Sequence, residues 1–349
     1  MSGCNKVEEL MKRDDLTNLW KIYTAEAYSS KGFLVVPDRY QLHWTDEQEI
    51  IQPDLEQLSP YYDFISNNST FYEDLVSTAR IAVLYSYPSQ KWEYPHPRFK
   101  PSIYGISNLL LDTHFQFDVL FSGDDNWIED KLCLDELKRY QVVILPDTPF
   151  LTDNQVDMLL AYLKSGGRII GFGEIGTFNE VREGVERGEL QDLLQEQEGP
   201  QPYGEGWISY IESNIGLEYF NERCRISRNK FVEEISKFVE PNVITDADNN
   251  IAVIKHWNFE KQAYIIHLIN YDYDLDEQHI ESKKDIGLEV LLNENLTNKD
   301  FEILYQSPDW SKIQELNYTK REDRVVFQIP NLDYYGVIYI GEVEDENNY

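Results

Sequence analysis

Residues 141–180, QVVILPDTPFLTDNQVDMLLAYLKSGGRIIGFGEIGTFNE, have the pattern of a single β-α-β unit. Residues 141–145 are a short, β-branched apolar run closed by Pro146, which is typical of a strand buried on both faces in a parallel sheet. Residues 168–172 form a second strand-like run. Because crossovers between parallel strands are right-handed, we expect both strands to end at the same edge of one sheet.

The segment between these two strands has the start and stop signals of a helix. Thr152 stands at the N-cap position, and Gln155 three residues later can complete a capping box. Gly166 and Gly167 are expected to end the helix in the left-handed conformation. Its apolar residues recur at helical spacing and predict one stripe facing the sheet: Val156, Leu159, Leu160 and Leu163.

Three further apolar runs extend the sheet on either side of this unit. They are RIAVLYS at 80–86, FDVLFS at 117–122 and GWISYI at 206–211. The alternation of strands and helices predicts an α/β domain over residues 79–245, with a flavodoxin-like doubly wound parallel sheet. Ligands bind such sheets at the carboxyl ends of the strands, so a site is expected at that edge.

After Ile244 the pattern changes from helical to alternating, and polar turn residues separate short apolar runs. This spacing predicts an antiparallel β-sandwich over residues 246–349. The candidate strands are residues 251–257, 263–270, 286–292, 301–306, 324–329 and 336–340.

Residues 1–78 contain more large aromatic rings than so short a segment can bury alone. The spacing predicts a helix over residues 16–27, a strand-like run at 32–37 and a connector helix over 59–75. We expect the rings, Trp20 and Trp44 among them, to pack on residues 79–245 or on another subunit.

The composition restricts the partners of the chain. Its 349 residues include 63 acidic and 31 basic ones, a formal charge of −32. Such a field repels phosphate backbones and anionic lipid, so neither nucleic acid nor a membrane surface is expected as a partner. Without an apolar leader or span, the sequence predicts a cytoplasmic protein. Cys4, Cys133 and Cys224 lack the spacing of a disulfide framework or a zinc site.

Several of these runs resemble parts of a known family. The stretch VVILPDTPFLTDNQVDMLLAYLKSGGRIIGFGEIGT, preceded by RIAVLYS and FDVLFSGD, resembles the class I glutamine amidotransferase-like domain that follows the catalytic barrel in certain glycoside hydrolases. The nearest such family is the beta-galactosidases with a trimerisation domain. YIIHLINYDYD at 264–274 and VVFQIPNLDYYGVIYI at 325–340 resemble the β-sandwich that closes such proteins.

AEAYSSKGFLVVPD at 25–38 looks like the last strand region of the barrel itself. Most of a barrel is missing, and with it the strand ends that carry the two catalytic carboxylates in those hydrolases. The resemblance therefore implies a sandwich and an α/β domain without the catalytic site of the family.

The loop Gly171–Gly176, GFGEIG, lies where an amidotransferase would hold its nucleophile. It contains neither Cys nor Ser, so amidotransferase chemistry is not expected. The loop also matches G-x-G-x-x-G, but the acidic residues that follow disfavour a pyrophosphate. The sequence therefore favours glycines that permit a tight turn, and no cofactor is expected.

Three acidic residues, Asp124, Asp147 and Glu174, follow predicted strands and are expected near the carboxyl edge of the sheet. Two such carboxyls can act as general acid and base on a glycoside. Acidic residues at strand ends also cap helices, and this structural alternative is favoured. The histidines show no metal spacing, and His267 is expected to be a hydrogen-bonded residue of the sandwich.

The loop after the first strand, QKWEYPHPRFKP, holds Trp92, Tyr94, His96 and Arg98. Aromatic rings with polar neighbours suit sugar stacking, and Trp, Tyr and Arg are also enriched in subunit contacts. The subunit contact is favoured slightly.

Together these patterns favour a non-catalytic accessory and oligomerisation module of a glycoside-hydrolase-like protein of carbohydrate metabolism. The alternative is a glycoside hydrolase or carbohydrate-binding protein that uses the acidic edge of the sheet. The expected partners are a second copy of the chain or a separate barrel-containing subunit, and a carbohydrate.

Overall fold

The computed structural model describes residues 17–32, 40–41, 50–51, 54–93, 97–195, 199–274, 277 and 279–342. Within them the helices are α1 (Thr17–Ser29), α2 (Leu55–Asn67), α3 (Tyr87–Trp92), α4 (Phe99–Asp112), α5 (Leu134–Leu137), α6 (Asp153–Lys164), α7 (Glu189–Gln195), α8 (Ile215–Glu222), α9 (Arg225–Ile235) and α10 (Glu294–Thr297). The strands are β1 (Tyr40–Gln41), β2 (Ile50–Ile51), β3 (Leu75–Ser77), β4 (Ile81–Ser86), β5 (Phe117–Ser122), β6 (Val142–Pro146), β7 (Arg168–Phe172), β8 (Gln201–Tyr203), β9 (Gly206–Ile211), β10 (Val243–Thr245), β11 (Ile251–Asn258), β12 (Ala263–Asn270), β13 (Tyr273–Asp274), β14 (His279–Ile280), β15 (Lys283–Leu291), β16 (Glu302–Ser307), β17 (Trp310–Glu315), β18 (Tyr318–Arg321), β19 (Arg324–Leu332) and β20 (Tyr335–Gly341).

The chain forms two compact units. One comprises Met1–Thr78 and Val243–Tyr349, and the other is Ala79–Asn242. The sequence-based division into 1–78, 79–245 and 246–349 treats the two chain ends as separate pieces, whereas the structure joins them in one unit. We call this the sandwich unit, and Ala79–Asn242 the α/β unit.

The α/β unit is built on one sheet with the strand order β5-β4-β6-β7-β9-β8. Neighbouring strands from β5 to β9 are parallel, and β8 is antiparallel to β9 at the edge. Helices pack on both faces of the sheet, and an apolar core lies between the sheet and the helices on each face. The predicted class, an α/β domain followed by a β-sandwich, is confirmed at this level.

The β6-α6-β7 unit forms as its local signals predict. Every residue of β6 is buried. The Thr152 hydroxyl accepts a hydrogen bond from the Gln155 backbone N–H at 3.1 Å, and the Gln155 side chain accepts one from the Thr152 N–H at 3.0 Å. Gly166 takes a φ of 98° after the helix, while Gly167 has no left-handed φ and packs against the Tyr162 ring.

In the sandwich unit, one sheet has the order β10-β15-β19-β18 and the other the order β17-β16-β20-β12-β11-β3. A core of apolar side chains from both sheets fills the space between them. The alternating pattern of β15, in which buried and more exposed residues follow one another, is the one expected of a sheet with one face in the core.

Strand β12 differs because all of its residues are buried. Ile266 and Leu268 face the core between the sheets, and Ile265 and Ile269 face a second cluster on the other side. The N-terminal segment supplies this second layer, with side chains that include Ile22, Ala25, Tyr61, Phe71 and Leu75.

This layer corrects the expectation that the N-terminal rings pack on residues 79–245 or on a second subunit. Four of the described rings pack on the outer face of β12 and β20: Tyr61, Phe64, Phe71 and Tyr72. Strand β12 is apolar on both faces, and β3 pairs directly with β11. Trp20 instead meets the ring of Tyr23, which is 45% exposed. The strand-like run at 32–37 and Trp44 lie outside the described residues.

Helix α2 also differs from the expected connector helix over 59–75. Asp54 caps the helix, and its carboxylate accepts hydrogen bonds from the backbone N–H groups of Glu56 and Gln57. The helix therefore begins before Ser59 and retains Pro60 within it. Among the described residues, no helix is long and apolar enough to cross a membrane.

Candidate functional site

Asp147 lies at the carboxyl end of β6, where the sequence predicts a site. Its backbone has a φ of 44°, an uncommon conformation for a residue with a side chain, and its N–H donates to the Phe172 carbonyl at 2.7 Å. Strain of this kind marks either a functional site or a backbone fixed by its neighbours. The contacts of the carboxylate distinguish the two.

The Asp147 carboxylate is 2% exposed and holds the end of the neighbouring strand. Its Oδ1 accepts a hydrogen bond from the Glu174 backbone N–H at 2.9 Å and one from Arg98 Nη2 at 3.2 Å. Burial raises the pKa of Asp147, and the Glu174 N–H and the Arg98 guanidinium oppose that rise. Asp147 is thus a buried acceptor that joins the ends of β6 and β7.

Gly173 permits this close approach. It follows β7 with a φ of 71°, and a β carbon there would lie 2.5 Å from Asp147 Oδ1. The Gly173 carbonyl accepts a hydrogen bond from the Tyr210 hydroxyl at 2.9 Å. This is the tight turn expected for the glycine-rich loop.

No helix begins directly after this loop. After β7 the next helix, α7, begins only at Glu189, and the chain from Gly173 to Gly188 is irregular. A dinucleotide fingerprint requires a helix N-terminus for the pyrophosphate, so the G-x-G-x-x-G match lacks its structural context.

Glu174 is the accessible acid of this edge. Its side chain is 38% exposed, and Oε2 lies 4.0 Å from Arg98 Nη1. Arg98, 49% exposed, therefore pairs with both Glu174 and Asp147. A glycoside hydrolase needs two accessible carboxyls that flank the bond, and here Asp147 is buried and accepts the Glu174 backbone N–H.

Asp124, the third predicted acid, has different partners. Its Oδ1 accepts hydrogen bonds from the backbone N–H groups of Asn126, Trp127 and Ile128, at 3.2, 2.8 and 3.1 Å. Lys91 Nζ lies 3.2 Å from Oδ2. Burial raises the Asp124 pKa, but the backbone N–H donors and Lys91 outweigh it, and the pKa is lowered. Asp124 is an ionised residue that stabilises its own loop.

Lys91 also stands between two tryptophans. Its Nζ is 4.9 Å from the ring centre of Trp92 and 5.0 Å from that of Trp127. The Trp92 Nε1–H donates to the Glu180 carbonyl at 2.9 Å, so this ring is fixed, whereas Trp127 is 74% exposed. Lys91 and Trp92 lie in α3, where the sequence predicted the start of a loop, and Lys91 separates the predicted contact residue Trp92 from the exposed ring.

The structure brings Arg98, Asp147 and Glu174 together, and it places Asp124 with Lys91 and the two tryptophans. Two predicted contact residues, Tyr94 and His96, lie outside the described residues. Sequence reasoning missed Lys91 and Trp127 because they come from different segments, helix α3 and the loop after β5. The only signal was their position after consecutive strands of a parallel sheet.

No cluster of metal-binding side chains occurs in the described part of the chain, and His43 lies outside it. His267 Nδ1 lies 2.7 Å from the Tyr335 hydroxyl, as expected for a hydrogen-bonded core residue. His256 packs edge-on against it, with ring centres 5.6 Å apart. Burial lowers the pKa of His256 to about 4 and also lowers the pKa of His267.

No protein-family model and no curated protein sequence matches the chain. Among solved structures, alpha-L-fucosidase isoenzyme 2 from Paenibacillus thiaminolyticus is similar, with a TM-score of 0.65 and 14% identity over 94% of this chain and 58% of that one. A beta-galactosidase from Bacillus circulans sp. alkalophilus gives a TM-score of 0.58 and 11% identity, with 94% and 52% covered.

A rhamnosidase from Novosphingobium sp. PP1Y gives a TM-score of 0.54 at 13% identity, over 94% of this chain and 30% of that chain. The present chain therefore spans about half of the fucosidase and the galactosidase. These likenesses confirm at the level of fold the resemblance to part of a beta-galactosidase-like glycoside hydrolase.

Proposed function

We propose that the chain is a non-catalytic accessory module of a glycoside-hydrolase-like protein. One observation carries the proposal: the Asp147 carboxylate, which would have to be one of two catalytic carboxyls, is 2% exposed and already accepts hydrogen bonds from the Glu174 backbone and Arg98. A substrate oxygen could reach it only by displacing the Glu174 backbone N–H or Arg98. The fold shared with a fucosidase, a galactosidase and a rhamnosidase supports the link to glycosides.

We also infer that the α/β unit is a flavodoxin-like, class I glutamine amidotransferase-like domain. The strand order β5-β4-β6-β7-β9 supports this, because the chain starts inside the sheet, moves one strand outward and then returns to the other side. Amidotransferase chemistry is not part of the proposal, because residues 171–176 contain no Cys or Ser.

The alternative is a glycoside hydrolase that uses the acidic edge. It draws on the raised pKa of Asp147 beside the accessible Glu174, since perturbed carboxyl pairs cluster at active sites. Carboxyls buried for structural reasons also have raised pKa values, and the buried hydrogen bonds of Asp147 favour that explanation here.

A glycosidase screen separates the two. The purified chain would be incubated with 4-nitrophenyl α-L-fucoside, β-D-galactoside and α-L-rhamnoside, beside Glu174→Gln and a matched variant at an exposed acid, Glu205→Gln. We expect no release of nitrophenol above the buffer rate in any sample. Turnover by the wild type and Glu205→Gln that Glu174→Gln abolishes would overturn the proposal.

The proposed oligomerisation role is supported by a surface of the α/β unit, and not by the N-terminal rings from which it was first expected. Four described rings of the N-terminal segment cover their own sheet, so these four no longer argue for a second subunit. In the α/β unit, however, β5 is an edge strand that exposes 52% of Val119 and 43% of Phe121. Exposed apolar edge strands can pair with another chain.

We therefore propose that β5 contacts either a second copy of the chain or a separate barrel-containing subunit. Light scattering on the wild type, Phe121→Lys and the exposed-ring control Phe259→Lys tests the first case. A concentration-dependent oligomer that only Phe121→Lys dissociates supports self-association. A monomer at all concentrations leaves the separate subunit as the only partner of the proposal.

A further inference from the structure

A cleft in the sandwich unit lies between helix α2 and the turn that joins β16 to β17. Its volume is about 660 Å³, within the range of roughly 300–1,000 Å³ typical of small-molecule sites. Pro60 and Phe64 line one wall, and Trp310 and Ile313 line the other. The cleft contains none of the acidic-edge residues discussed above.

The apolar side of the cleft is held in place by ring packing. Trp310 meets Tyr305 edge-on with ring centres 5.5 Å apart, and Phe64 meets Tyr335 edge-on at 6.3 Å. Both supporting tyrosines are fully buried, so the two lining rings are fixed before a ligand arrives. A prearranged aromatic surface loses little entropy on binding.

Trp310 also has an unsatisfied donor. Its indole Nε1 is buried and has no hydrogen-bond partner among the described residues. Buried donors of this kind are rare, and each needs an explanation. Nε1 has no exposed surface, so it is not itself available to a ligand in the cleft.

The polar side of the cleft carries groups suited to hydroxyls. Asn67, Gln306 and Lys312 line it, and in the described chain their side chains make no hydrogen bond or ion pair. Amides both donate and accept, as sugar hydroxyls do. The β16–β17 register shifts between Tyr305 and Ser307, and the extra residues lie on β17 between Trp310 and Gln314, where Lys312 and Ile313 stand. Bulges often redirect side chains next to functional sites.

Asp309 belongs to the wall and has a structural role. Its carboxylate accepts hydrogen bonds from the Tyr61 hydroxyl at 2.7 Å and from the Tyr334 N–H at 3.1 Å. This acid fixes the turn against α2 and β20. With a formal charge of −32 on the chain, the cleft is also unfavourable for an anionic ligand.

From these features we propose that the cleft binds a neutral pyranoside, with the apolar face of the sugar ring on Trp310 and its hydroxyls on Asn67 and Gln306. The site is a carbohydrate-binding site of the sandwich unit, separate from the acidic edge. Sugar binding in this cleft does not require that the chain lack glycosidase activity. The binding test below and the glycosidase screen above can therefore each fail without deciding the other.

Saturation-transfer NMR and calorimetry on the full chain test the proposal. The probes are the methyl glycosides of β-D-galactose, α-L-fucose and α-L-rhamnose, with galactitol as an acyclic control that has hydroxyls but no ring. We expect at least one pyranoside to bind and galactitol not to bind. Absence of binding by all three pyranosides at tens of millimolar would refute the proposal.

Variants locate the site. We expect Trp310→Ala to weaken binding at least tenfold by loss of the stacking surface, and Gln306→Ala to weaken it roughly fivefold by loss of one hydrogen bond. Gln306→Ala keeps the inference testable if Trp310→Ala does not fold. Trp127→Ala, at the exposed ring of the α/β unit, should leave the affinity unchanged. Loss of binding in Trp127→Ala alone would overturn the assignment.

Discussion

Lowering the pH from 7 to 5 should destabilise the sandwich unit through its buried histidines. His256 is 4% exposed and His267 is fully buried, and their rings contact each other. Burial lowers the pKa of both, and Lys31 lowers that of His256 further. The unfolded chain therefore binds protons that the folded chain excludes. Stability from these groups is present above about pH 6.5 and is lost as the pH falls toward the folded pKa.

The magnitude follows from the two pKa values of His256. The folded value is about 4, against an ordinary value of about 6.5. Each pH unit between them costs about 1.4 kcal/mol, so the change from pH 7 to pH 5 removes about 2 kcal/mol of unfolding free energy. His267 adds a loss of the same sign. Burial raises the pKa of Asp309, so that group offsets part of the loss as the pH falls.

Urea titrations at pH 7 and pH 5, read by deuterium exchange of the amides of β11 and β12, measure this loss in the sandwich unit. In His256→Gln the loss between the two pH values should be smaller than in the wild type by about 2 kcal/mol. His279→Gln, at an exposed histidine, should retain the wild-type loss. Equal pH dependence in all three proteins would refute the reasoning.

Three other perturbations test the fold. Gly173→Ala should lower the unfolding free energy of the α/β unit by about 2–4 kcal/mol, because it combines a left-handed backbone with a β carbon 2.5 Å from Asp147 Oδ1. In the control Gly184→Ala, the added β carbon has nothing within 4 Å, so the unfolding free energy from urea titrations should change by no more than about 0.5 kcal/mol. Thr152→Ala should cost about 1 kcal/mol by loss of the capping box, and Thr152→Ser should recover most of it in the same assay. A protease cut in the polar loop 246–250 should leave two pieces that co-elute in native size-exclusion chromatography, because β3 stays paired with β11; separate elution would contradict that pairing.

Local signals were enough to predict the elements that their own residues specify. The capping box at Thr152 and the buried run of β6 depend on neighbours a few positions away, and both form as expected. Strand β12 was predicted with its exact bounds, Ala263–Asn270, because it is bounded by turns on either side. Patterns over ten residues therefore gave the α/β class and most of the sandwich strands.

Contacts between distant residues could not be read from such patterns. Strand β3 comprises only Leu75–Ser77, and these residues are extended because they pair with the edge of the sheet at β11. The candidate site shows the same limit. The sequence placed Asp147 and Glu174 at one edge, but only the folded backbone reveals that Asp147 accepts the Glu174 N–H and is withdrawn from solvent.

The pairing of β3 with β11 has a consequence for the chain as it leaves the ribosome. Ser77 pairs with His256, which is synthesised roughly 180 residues later. At a translation rate of about 5–20 residues per second, the partner strand follows after roughly 10–35 s. During that time Ala79–Asn242 is completed and can close its own sheet, although it starts second. The aromatic N-terminal segment meanwhile remains without the sheet that buries it, and a nascent chain in that condition is a natural client for a chaperone.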